Sequence, residues 1–184
     1  MGIYLNPDGS KFEEAVNSDI YVDKTGLLNY TNSVLHTMQK YLCISRPRRF
    51  GKSMAANMLS AYYSRGCDEK TLFSQFEIAR SDDFTEHLNR YNTISVNMQE
   101  VLSRSKSIYE LIDRFKRLVI RELKYEYPDV DYFDDTDLIE CMQDIYAQKS
   151  RHLLLLLMSG TVFSESTRKI KMPRKSILIF CGIC

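Results

Sequence analysis

Tryptophan is absent from this chain, and only four prolines and seven glycines occur among its 184 residues. So few breakers exclude a collagen-like or Pro/Gly-rich low-complexity protein. No sign of charge dominates: 25 Lys and Arg face 24 Asp and Glu, a net of +1, so bulk electrostatics draws the chain toward neither nucleic acid nor an anionic membrane. Long apolar runs are missing too. The longest, residues 153–158, is far short of the ~20 residues of a spanning helix, and no membrane partner is expected. The opening Met1-Gly-Ile-Tyr-Leu-Asn-Pro lacks the basic and apolar regions of a secretory signal, and position 6 lacks the Ser or Thr of a myristoylation site. A cytoplasmic protein with reduced thiols is therefore expected. Cys181 and Cys184 form a C-x-x-C with no second ligand pair, which gives little reason to expect a metal or redox site.

What is present is the composition of a soluble globular domain, 44% hydrophobic and 27% charged, long enough for one real core. Charge is distributed unevenly along it. Residues 1–150 carry 19 basic and 23 acidic side chains, a net of −4, whereas 151–184 carry six basic residues and only Glu165, a net of +5. Either the tail binds an acidic partner or it is a different kind of sequence.

Hydrophobic periodicity predicts the elements. Residues 41–45 and 93–98 read as strands, and 153–157 as a buried strand. Helices are predicted over 52–63, 108–126 and 134–146, with Gly66 capping the first and Pro128 ending the second. Strands alternating with helices predict an α/β fold, a mainly parallel sheet flanked by helices.

The segment between the first strand and its helix is Arg46-Pro-Arg-Arg-Phe-Gly-Lys-Ser53. Against the phosphate-loop pattern G-x-x-x-x-G-K-[ST] it matches at Gly51, Lys52 and Ser53, with Arg46 in place of the first glycine. The chemistry suits an anion. Gly51 lets backbone approach a phosphate, consecutive amides at the helix start point at it, Lys52 reaches the outer phosphates, and the Ser53 hydroxyl ligates Mg²⁺. A bare Gly-Lys-Ser also arises by chance as an ordinary helix start. The preceding apolar strand and the three cations Arg46, Arg48 and Arg49 favour phosphate. The candidate nucleotide site is therefore Arg46, Pro47, Arg48, Arg49, Phe50, Gly51, Lys52 and Ser53, with Ser53 as the metal ligand.

This run resembles the variant Walker A loop of a bacterial family, the AAA-ATPase-like proteins, in which Arg replaces the first glycine. Tyr21-Val-Asp-Lys-Thr25, with Asn17-Ser18 before it and Gly26-Leu27-Leu28 after it, is similar to that family's N-terminal signature. Met54 through Met58 and the pair Tyr62-Tyr63 extend the resemblance, which covers about residues 1–150. It implies a partial P-loop NTPase (AAA-like) core that binds ATP and Mg²⁺, often followed in the family by a PD-(D/E)xK nuclease-type domain. Asp23 and Lys24 read either as a surface turn or as neighbours of the nucleotide.

Hydrolysis needs an apolar strand ending in Asp or Asp-Glu. Here the strand at 153–157 runs into Met158-Ser-Gly-Thr161, and the next carboxylate is Glu165. With codons chosen within the degeneracy of the code, residues 154–163 read one nucleotide earlier give Ile-Ile-Asp-Glu-Trp-Asp-Cys-Ile, similar to the family's Walker B strand. We therefore expect an incomplete, truncated P-loop domain over 1–157 and an out-of-frame, poorly ordered tail over 158–184, disordered above all at 168–175. The competing reading is a variant C-terminus with a genuine strand at 176–180. ATP or another triphosphate should bind without hydrolysis, so it is uncertain whether the chain acts as an enzyme. The alternatives are a nucleic-acid module using the basic loop 46–52, or a fragment with no function of its own. Oligomeric state is not legible.

Two weaker patterns remain. Asp129, Asp131, Asp135, Asp137 and Glu140 fall in a calcium-loop frame, but Phe133 and Asp134 break it, and a solvated helix start is the better reading. His36, His87 and His152 are far apart in sequence with no ligand spacing, and are expected to be incidental.

Overall fold

In a computed structural model the described residues are 2–45 and 50–158, together with the backbone of a strand at 176–181. Two short helices, α1 (Ser10–Val16) and α2 (Gly26–Val34), precede the first strand, β1 (Tyr41–Ser45). Helix α3 (Lys52–Tyr63) follows the loop. Then come α4 (Lys70–Phe73), a 3-10 turn at Glu77–Arg80, α5 (Phe84–His87) and β2 (Asn92–Asn97). The second half holds α6 (Met98–Ser103), α7 (Ile108–Glu126), α8 (Leu138–Lys149), β3 (Leu153–Met158) and β4 (Ser176–Cys181).

The four strands lie in the order β1-β4-β3-β2. β2 and β3 are parallel, from Asn92 opposite Leu153 to Asn97 opposite Met158. β4 runs antiparallel to both its neighbours, with Ser176 opposite Ser45 and Ile177 opposite Met158. Because β4 is reversed against both, β1, β3 and β2 all point the same way. Their carboxyl ends, Ser45, Met158 and Asn97, share one edge of the sheet. The expected α/β sheet flanked by helices is present, with one correction: it is mixed, because the strand from the basic tail enters it reversed. Strand 176–181 matches the competing reading of that tail. The expectation of disorder at 168–175 lies outside the described residues.

The run of five leucines in β3 is explained by its two packed faces. Leu154 and Leu156 are buried in a cluster with Phe12, Leu28, Met58, Tyr62 and Phe73. Leu153 joins Ile94, Leu111, Leu123 and Ile145 on the other side, where Leu155 and Leu157 also pack. A strand covered on both faces has no polar side to show, hence no alternation.

Two boundaries differ from expectation. The last helix starts at Leu138 rather than 134, because the Asp137 carboxylate accepts the amides of Ile139 and Glu140, while Asp134 closes its own turn on Thr136. Gly66 does not cap α3. The helix ends at Tyr63 because Ser64 turns extended and bridges Tyr91, and Arg65 donates its amide to the Tyr91 carbonyl at 2.8 Å. Gly66, at φ 87°, serves the turn beyond. Three of the five acids of the calcium frame are paired with lysines: Asp137 with Lys116, Asp135 with Lys124 and Asp129 with Lys149. No helix among the described residues is long and apolar enough to cross a membrane.

Candidate nucleotide site

Between Ser45 and Lys52 the chain crosses from β1 to α3 at the carboxyl edge of the sheet. In open α/β sheets ligands bind at this edge. Of the predicted site residues, Arg46, Pro47, Arg48 and Arg49 lie outside the described residues, while Phe50, Gly51, Lys52 and Ser53 are placed. Phe50 is exposed. Gly51 adopts φ 74° and ψ 29°, a left-handed conformation that costs an ordinary residue roughly 1–2 kcal/mol. Its carbonyl accepts the Ala55 amide at 2.9 Å and so opens α3. No side chain caps this helix and no acid stands in its first turn, whereas Asn97, Ser107 and Asp137 cap α6, α7 and α8. The first-turn amides of α3 have no partner within the helix, and they carry the positive end of its dipole.

The structure brings Lys24 to this loop. The turn that holds it is fastened twice: one Asp23 oxygen accepts the Thr25 amide at 2.8 Å, the other the Glu77 amide at 3.0 Å. Thr25 is buried, and its hydroxyl accepts the Ile78 amide at 3.2 Å. Burial works to raise the Asp23 pKa, but the hydrogen bonds from Glu77 and Thr25 outweigh it and hold the carboxyl below its ordinary value. From this anchored turn, the Lys24 ammonium donates to the Phe50 carbonyl at 3.3 Å. A Cβ on Gly51 would stand 2.6 Å from that nitrogen. Gly51 is thus favoured by its backbone angle, and any larger residue there would also have to push the Lys24 ammonium aside. Asp23 and Lys24 thus belong to a turn packed beside the loop.

Ser53 is exposed on the first turn of α3 and opens on a polar cleft of about 240 Å³, lined also by Asn57, Asn97, Glu100, Asp8 and Met158. Met158 ends β3 in this cleft without a carboxylate. Glu100 accepts from the Asn97 amide side chain at 3.1 Å, and Asp8 accepts the Ser10 hydroxyl at 2.6 Å. No three His, Cys, Asp or Glu among the described residues are grouped to hold a metal by themselves. In phosphate-loop sites Mg²⁺ is held by the loop Ser or Thr and an acid, together with phosphates and water. The exposed Ser53 hydroxyl fits such a site.

Spacing alone also missed two arrangements. Two of the three histidines, distant in sequence, meet at Tyr91, and the third packs on one of them. The Tyr91 hydroxyl meets His87 Nδ1 at 2.7 Å and His36 Nε2 at 3.2 Å, and the His152 ring lies 5.2 Å from His36. Burial lowers the pKa of His87, partly opposed by Asp83. Burial, with His36 and Lys40, lowers that of His152. Glu122 on α7 gathers the amides of Ile3, Tyr4 and Leu5 at 3.2, 2.8 and 2.8 Å, tying the N-terminal segment across the helix. No local pattern announces either, because each joins distant segments.

A family model described as "Predicted AAA-ATPase" matches residues 10–158, from the start of α1 to the end of β3. No curated protein and no solved structure matches the chain.

Proposed function

The chain belongs to the AAA-ATPase-like family, and we propose that it binds a nucleoside triphosphate, ATP, together with Mg²⁺ on the loop 46–53. The observation that carries this reading is the left-handed Gly51 opening an uncapped helix at the shared carboxyl edge of β1, β3 and β2. Lys52 and the first-turn amides of α3 engage the phosphates, Ser53 ligates the cation, and the arginines of the loop add positive charge. When bound, Mg²⁺ offsets phosphate charge. The rest of the site is built from this chain's own donors.

Hydrolysis is lost in this reading, because β3 delivers Met158 where a carboxylate is needed, and Asp8 and Glu100 are engaged with neighbouring groups. In this reading residues 1–157 are the P-loop unit of a bacterial, cytoplasmic protein and 158–184 are out of frame after loss of one nucleotide near codons 149–154, while the pairing of strand 176–181 with β1 and β3 is the observation that favours the competing variant C-terminus. The charge reversal at residue 150 supports the frameshift, and the degeneracy of the code permits an Asp-Glu pair in the neighbouring frame. The free thiols of Cys43, Cys67 and Cys141 suit a reducing compartment.

Titration of ATP with Mg²⁺ tests the binding. Lys52→Ala should weaken affinity tenfold or more, and equal affinities would overturn the proposal. Steep salt dependence of oligonucleotide binding, with no competition from ATP, would favour a nucleic-acid surface instead. Resequencing the gene tests the frame: a neighbouring frame without acidic codons at 157–158 rules the shift out.

A further inference from the structure

Lys24 is a cation set against the start of a helix. Its ammonium lies against Gly51 and Phe50, at the positive end of the α3 dipole, one residue from Lys52. A cation there is disfavoured by the dipole, and an anion removes that cost. Among the described residues no carboxylate pairs with Lys24. Its nearest acid in sequence, Asp23, spends its oxygens on the amides of Thr25 and Glu77. Those bonds, with the buried Thr25 and the Tyr21 ring 5.3 Å from that of Phe76, fix the turn. One ammonium proton goes to the Phe50 carbonyl, which leaves two donors for another acceptor.

We propose that Lys24 is a second phosphate-binding lysine, delivered to the loop from the segment before α2, and that it recognises the polyphosphate of the bound nucleotide. This rests on the nucleotide reading of the loop. It adds that the site is assembled from two separate stretches of chain.

The test compares Lys24→Gln, Lys24→Arg and Lys52→Ala with the unaltered chain in titrations with Mg²⁺–ATP and with tripolyphosphate, each over a range of salt. Glutamine keeps a donor for the Phe50 carbonyl but carries no charge. If Lys24 contacts phosphate, Lys24→Gln weakens both ligands about tenfold, flattens the salt dependence by about one ion, and leaves the melting temperature within about 2 °C. Lys24→Arg then retains most of the affinity. If Lys24→Gln binds like the unaltered chain while Lys52→Ala does not, Lys24 only fastens the loop and the inference is overturned, though the nucleotide reading stands. If the unaltered chain binds neither ligand, the nucleotide reading itself fails, and this inference with it.

Discussion

The Asp23 carboxylate accepts the backbone amide of Glu77 at 3.0 Å, joining the turn before α2 to a 3-10 turn 54 residues later. Its other oxygen holds the Thr25 amide, so one side chain sets the position of its neighbour Lys24. Asp23→Ala should destabilise the fold by about 1–3 kcal/mol, the range for leaving hydrogen-bonded amides without a charged acceptor. It should also weaken Mg²⁺–ATP binding by letting Lys24 drift. Chemical denaturation and titration check the two effects, and Asp23→Asn should recover part of both.

Gly51→Ala should damage ligand binding more than folding. The left-handed backbone costs alanine roughly 1–2 kcal/mol, and the new methyl collides with the Lys24 ammonium. A melting temperature lowered by a few degrees, together with an affinity loss of tenfold or more, is the expected result.

Leu156 is 1% exposed in the cluster around Tyr62 and Phe73. Leu156→Ala should cost about 2–5 kcal/mol through lost burial and a residual cavity. Leu153→Ala should cost a similar amount from the opposite face, since Leu153 is 2% exposed among Ile94, Leu123 and Ile145. Urea unfolding of the two single variants and the double variant would show near-additive losses if the faces are independent.

Burial of His87 and His152 sets the sign of a pH effect. Both have folded-state pKa values below the ordinary histidine value, so above about pH 6.5 both states are neutral. As pH falls below that value the unfolded chain takes up protons first, and stability declines until the folded-state pKa values are passed. Melting temperatures should therefore drop between pH 7.5 and 5.5, and His87→Gln, although less stable throughout, should show a shallower drop.

Glu122 holds three amides of the N-terminal segment. Glu122→Ala should speed hydrogen exchange at Ile3, Tyr4 and Leu5 and cost about 1–3 kcal/mol, whereas Glu122→Gln should lose less.

Much of this was legible from residue order. Strand 41–45 and helices 52–63 and 108–126 were predicted with their observed bounds, because their apolar residues recur at the period of the element that buries them. The Gly51-Lys52-Ser53 signature was equally plain, since its residue types are dictated by local backbone and local chemistry. The start of the last helix was misplaced because several acids compete to cap it, and only geometry selects Asp137.

The sequence by itself determined the α/β class, the glycine-lysine-serine helix start and the missing acid at the end of β3, all of which are local properties of the chain. Tertiary structure decided the rest. It reversed β4 between β1 and β3, joined His36 and His87 at Tyr91, and carried Lys24 onto a loop 26 residues away. Those outcomes depend on which surfaces bury one another and which amides find acceptors. Such pairings form through space and leave no period or spacing in the order of residues.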